Sequence, residues 1–224
     1  MALIEKSKGR AEGSGYERLF GHQELGHLLS KVQATVISSG TELEKIIVGL
    51  AENITNVDAF LDNQILQNGV YLISKGAIKN SRLRSTREPD LIVFQITDTK
   101  RHCYIIELKD GDTFDTKKAS GEVQNLIDFQ SHLSTKIQFT TSIHVCSFNQ
   151  LDKDKIVYGF KKKITVDMAM TGLELCNLLG LNYNEIIGSR VHEQVQNISH
   201  FLDVLLSIDS IKSLVEAKLS NINS

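Results

Sequence analysis

Two β-rich runs, LIVFQIT at 91–97 and HCYIIELK at 102–109, are separated by the four polar residues Asp98, Thr99, Lys100 and Arg101. This spacing predicts an antiparallel hairpin. A hairpin fixes which residues of the two strands lie side by side, and strand alternation fixes which of them share a face. Glu107 and Lys109 are two apart and project to one face, while Tyr104, Ile106 and Leu108 project to the other. Asp110-Gly111 ends the second run. The first run is entered from Pro89, the one proline in the chain. Proline has no N–H for a ladder and biases the preceding residue, Glu88, toward extended geometry, so it suits a strand entry. Asp90 then begins the strand, and the hairpin brings it toward Glu107 and Lys109.

Helical patterns flank this region. Apolar residues recur at three- and four-residue spacing over 16–37, 41–53 and 57–74. Ser39, Gly40 and Thr41 are expected to separate the first two helices, with Thr41 as N-cap and Glu44 in capping-box register. The stretch 75–87 is basic and weakly periodic. Beyond the hairpin the pattern predicts a helix over 116–133, further β-rich runs at 137–148 and 155–160, and helices over 171–179 and 183–219. The expected fold is α/β (α+β), a central mixed sheet flanked by helices with one helical crossover. A length of 224 residues, 41% of them hydrophobic, suits one domain spanning 1–224. In it a helical N-terminal region (16–74) and a helical C-terminal region (171–219) enclose a core at about 88–160 that carries the Asp90 cluster. Residues 1–15 read as a polar, Gly-rich arm.

Two carboxylates beside an ammonium suit phosphodiester hydrolysis. Mg²⁺ is held by hard oxygen ligands, commonly one or two carboxylates, with water and substrate phosphate completing its shell. Asp90 and Glu107 are the candidate ligands, with the Leu108 backbone carbonyl between Glu107 and Lys109 as a third. Lys109 can orient or deprotonate the attacking water and offset charge in the transition state.

This arrangement resembles the PD-(D/E)xK nuclease superfamily, in particular its type II restriction endonucleases. Pro89-Asp90 matches the first element and Glu107-Leu108-Lys109 the second, with sixteen residues between Asp90 and Glu107. The resemblance covers about 88–133. It implies a restriction-endonuclease-like fold and Mg²⁺-dependent cleavage of double-stranded DNA leaving 5′-phosphate and 3′-hydroxyl ends. It further implies Asp90 and Glu107 as metal ligands and Lys109 as the catalytic lysine. The RecB-like branch carries Gln-x-x-x-Tyr on the next helix; here Gln124 is followed four residues on by Asp128, which disfavours that branch. Two rivals remain from the residues themselves: a structure-specific or repair endonuclease, and a non-catalytic DNA- or protein-binding module in which the acidic cluster is structural.

A net charge of −2 excludes a polycation, so DNA must be met by local basic patches. Arg82, Arg84 and Arg87 lead straight into Asp90 and are candidates to grip the backbone. Thr113, Thr116, Lys117 and Lys118 follow the lysine and are placed either to contact phosphates or bases, or simply to begin a helix capped by Asp115. Glu17 and Glu44 are helical carboxylates that could supply a further ligand. The seven histidines form no HxxxH or HxH pair, which argues against HNH chemistry, and no GxxxxGK[ST] motif is present. Three widely spaced cysteines fit neither a disulfide framework nor a zinc site. With no apolar leader and no long apolar run, the expected setting is cytoplasmic and away from membranes. Cutting both strands of a palindrome calls for two centres related by a two-fold axis, hence an expected homodimer.

Overall fold

In the computed structural model, residues 2–10, 12–63, 67–111, 113 and 116–222 are described. The chain begins with α1 (Leu3–Lys6), α2 (Gly15–Phe20), α3 (Gln23–Leu50) and α4 (Val57–Asp62), then β1 (Gly69–Ser74), α5 (Lys75–Lys79), β2 (Leu91–Ile96) and β3 (Arg101–Lys109). It continues through α6 (Thr116–Ser134), β4 (Thr140–Ser147), α7 (Lys153–Gly159), β5 (Ala169–Thr171), α8 (Gly172–Leu179), α9 (Tyr183–Leu206) and α10 (Asp209–Ile222).

The expected hairpin forms. β2 pairs antiparallel with β3 in a register that sets Leu91 opposite Ile106 and Phe94 opposite Cys103. β1 adds antiparallel to β2, while β4 and β5 add in parallel beyond β3. The result is a mixed five-stranded sheet ordered β1-β2-β3-β4-β5. A parallel neighbour requires a crossover, which α6 supplies between β3 and β4. This is the α/β class expected for a restriction-endonuclease-like fold.

One sheet face carries the core. Ile73, Ile92, Ile105 and Val145 pack there with Phe94 and Cys103 against Ala119, Leu126, Phe129 and Leu133 of α6. Those α6 positions follow the three- and four-residue spacing of a buried helical face. Phe94 also packs edge-on against Phe139 at 4.7 Å between ring centroids, a favoured aromatic geometry.

Several local expectations are corrected. Ser39, Gly40 and Thr41 do not interrupt a helix: α3 runs through them to Leu50. The Ser38 and Ser39 hydroxyls donate to the Thr35 and Val36 carbonyls rather than capping a new helix. Leu43 and Ile47 are fully buried, and such burial outweighs the helix cost of one glycine, about 1 kcal/mol. The stretch 57–74 is not one helix. α4 stops at Asp62, and the chain resumes as β1, whose ladder with β2 satisfies its backbone; residues 64–66 lie outside the described set. The run 155–160 falls in and just after a helix, not a strand. Asp152 caps α7 by accepting from Asp154 and Lys155 N–H, and Ile156 and Phe160 bury the same face. The three-residue β5 was not anticipated, and 183–219 divides into α9 and α10.

The chain forms two compact units, one of Met1–Thr41 with Asn184–Ser224 and one of Glu42–Tyr183. In the first, Ile4 N–H donates to Asn197 Oδ1 and Thr35 Oγ1 donates to Ser7 Oγ. The second holds the whole sheet. Among the described residues no helix is long and apolar enough to cross a membrane.

Two glycines test this description. A Cβ at Gly172, the first residue of α8, would lie 2.1 Å from the Phe148 carbonyl oxygen. Gly172→Ala is therefore expected to destabilise by about 3 kcal/mol. Gly40 sits inside α3 with no atom near its would-be Cβ, so Gly40→Ala is expected to stabilise by about 0.5–1 kcal/mol. Urea unfolding of the two variants measures both signs; an unchanged Gly40→Ala would contradict the continuous helix.

Candidate active site

The β2–β3 register, continued by one residue, sets Asp90 opposite Glu107. The hairpin thus brings together the three residues singled out in the sequence. Asp90 Oδ2 accepts the Leu108 N–H at 3.0 Å, and Oδ1 accepts from Lys75 Nζ at 2.9 Å. Lys109 Nζ donates to Glu107 Oε1 at 2.6 Å. It also donates to Glu122 Oε1, on α6, at 3.1 Å. Strand alternation orients the Leu108 carbonyl as well. Phe148 N–H donates to the Lys109 carbonyl, which therefore faces β4, so the carbonyl of Leu108 faces the opposite edge, beside Asp90.

The cluster ends the apolar core face. Glu107 is 8% exposed, and a cleft of about 500 Å³ opens over it, lined by Lys75, Lys79, Arg87, Glu122 and Asn125 among others. Burial raises the Glu107 carboxyl to about 7, with Asp90 adding to the rise and Lys109 opposing it. Burial also raises Glu44, again reinforced by Asp90, so this α3 carboxylate belongs to the same charge cluster. Burial works against the charge of Lys109, yet Glu107, Glu122 and Asp90 outweigh it and hold the amine above its ordinary value.

The other candidates are spread more widely. Arg82 is exposed, and its guanidinium is paired with Asp62. Arg84 and Arg87 line a groove along α6 with Asn125, Asp128 and His132. Lys136 Nζ and His132 hold this segment to α6 through the Arg82 and Arg84 carbonyls. Thr113, Thr116, Lys117 and Lys118 are exposed around the start of α6. Asp115, the expected cap, lies outside the described residues. Glu17 belongs to the other compact unit, where its carboxylate accepts the Gly13 N–H.

Glu122 was missed in the sequence, and Lys75 was read only as part of the basic run 75–87 that could grip DNA, not as a partner of Asp90. Glu122 had a signal: it falls in helical register with the buried stripe Ala119, Leu126, Phe129, Leu133, where a half-buried carboxylate gains from a partner. The pairing of Lys75 with Asp90 had none, because the strand that delivers Lys75 read as helix.

Among the described residues no three His, Cys, Asp or Glu side chains form a ready metal cage. Mg²⁺ does not require one, since water and substrate complete its shell. Asp90, Glu107 and the Leu108 carbonyl form a hard-oxygen set, with the Asp90 and Glu107 carboxylates brought together by the strand register. The residues present fit a divalent ion.

The chain is similar to the type II restriction enzyme HhaII of Haemophilus parahaemolyticus, with 41% identity over 225 residues that cover 96% of this chain and 99% of that protein. It belongs to the type II restriction endonucleases. No family model matches the chain, and no solved structure matches it. Membership at this coverage makes the enzyme an endonuclease of a restriction system and sets aside a non-catalytic binding module for the chain as a whole.

The buried carboxyl sets a pH dependence. Glu107 binds its proton more tightly folded than unfolded, so its contribution is present below 4.5 and lost as pH rises through about 7. Glu107→Gln removes that loss. With a chelator present, the variant is expected to be more stable than wild type by about 1–2 kcal/mol near pH 8. The gap should close at about pH 4. Urea unfolding at both pH values reads it; a variant less stable at both would contradict the assignment.

Proposed function

We propose that this enzyme is a PD-(D/E)xK nuclease that hydrolyses both strands of DNA at a short specific sequence, with Mg²⁺ held by Asp90, Glu107 and the Leu108 carbonyl. The observation that carries the reading is the meeting of Asp90, Glu107 and Lys109 at one end of the hairpin, under an open polar cleft. When bound, the cation polarises the scissile phosphate and makes a neighbouring water more acidic.

The chain's own residues supply the rest. Lys109 lies between Glu107 and Glu122 and is held cationic, so orienting the attacking water and offsetting phosphate charge suit it better than taking a proton. Water oxygen bonds to phosphorus, the bond to the 3′ oxygen breaks, and that oxygen takes a proton. The products are a 5′-phosphate and a 3′-hydroxyl. Lys79 and Arg87 face the same cleft and counter the phosphate backbone. Arg84 extends this along α6, and Thr116, Lys117 and Lys118, with Thr113 just before them, offer donors at its start. Arg82 joins only by leaving Asp62. A homodimer would present two such centres to the two strands. A DNA substrate and the buried thiols Cys103, Cys146 and Cys176 suit a cytoplasmic enzyme.

Plasmid digestion tests the reading. Discrete fragments are expected with Mg²⁺ and none with a chelator. Asp90→Asn and Lys109→Ala are expected to lower the rate by about 10²–10⁴ while leaving the fold intact. Arg87→Ala should instead raise KM several-fold and reduce the salt slope by about one. Folded protein that cuts with no divalent metal ion, or Asp90→Asn that cuts as wild type, would overturn it.

A further inference from the structure

Lys75 reaches Asp90 twice. Its ammonium donates to Asp90 Oδ1 at 2.9 Å, and its backbone N–H donates to the Asp90 carbonyl at 2.9 Å. The second bond continues the β1–β2 ladder one residue beyond Ser74 and Leu91. The sheet itself therefore sets Lys75 opposite Asp90, as it sets Asp90 opposite Glu107. Across three neighbouring segments the row reads Lys75, Asp90, Glu107. The carboxylates of Asp90, Glu107 and Glu44 surround the partly buried Lys75 ammonium with negative charge. One ammonium thus answers carboxylates from three elements, at the place where a bound cation would sit.

We propose that Lys75 competes with a divalent cation for Asp90 Oδ1, so that metal binding there displaces its ammonium. This rests on the reading of Asp90 and Glu107 as metal ligands. The displaced ammonium remains in the cleft with Lys79 and Arg87, where a DNA phosphate is its natural partner. Metal ion and DNA then favour each other's binding, because each relieves the cost the other would meet alone. Without DNA, Lys75 weakens metal binding at the site.

Titration calorimetry with Mn²⁺, on the full chain without DNA, tests this. Lys75→Met keeps the aliphatic stem and removes the charge; it is expected to bind Mn²⁺ about tenfold more tightly than wild type. Unchanged or weaker binding would overturn the proposal. Asp90→Asn separates the two readings: it should bind Mn²⁺ far more weakly, and if it binds as wild type the ligand assignment fails, whatever Lys75 does. Should Lys75→Met fold poorly, Lys75→Gln serves, read by melting. Its rise in Tm on adding Mn²⁺ is expected to exceed that of wild type, and an equal or smaller rise counts against the proposal.

Discussion

Antiparallel pairing of β2 with β3 is the constraint on which the site depends. A register slip of one residue would move every side chain of a strand to the opposite face. Here the buried apolar face enforces the register. Ile73, Ile92, Ile105 and Ile143 are matched across four neighbouring strands. The next row on that face is Lys75, Asp90, Glu107 and Val145. The isoleucine row and the charged row are two residues apart on each strand, so the packing that fixes one fixes the other. Precision at the site is inherited from the core rather than from loops.

The same proximity makes the charges expensive. A carboxylate beside an apolar row loses hydration, and like charges nearby add to the cost. Glu107 shows both effects in its raised value. The chain answers with lysines, Lys109 for Glu107 and Lys75 for Asp90, while Glu122 shares Lys109. Half-buried pairs of this kind add little stability beyond offsetting desolvation. Their value lies in geometry: each functional group is held by a partner before any ligand arrives, which lowers the reorganisation left for the reaction.

What could be read from the sequence follows from how local each determinant is. The hairpin was legible because its two runs and turn are contiguous, and Glu107 and Lys109 share a face by alternation alone. The crossover α6 was legible from its periodic apolar stripe. β1 was not: GVYLIS carries apolar residues at spacings that fit a helix as well as a strand, and β2 decides between them. The continuity of α3 through Gly40 likewise depends on what Leu43 and Ile47 bury against. Lys75 and Glu122 reach the site through long-range pairing, from the far side of β2 and from the crossover helix. No window around either residue contains its partner.

Glu122 shows how such residues become readable. Along α6 the buried positions step by three and four from Ala119 to Leu133, and Glu122 occupies the one step that is not apolar. A half-buried carboxylate there gains from a cation, because burial strips part of its hydration. The nearest cation the fold can offer is the ammonium at the end of β3, and Lys109 meets it at 3.1 Å. The lysine is thereby tied to both the sheet and the crossover helix. Its orientation is set by two carboxylates whose own positions are set by packing, so it cannot swing freely, as a surface lysine would, when the cleft fills. A charged residue on an otherwise apolar helical face is thus a sequence signal for the element that holds a buried charged partner in place.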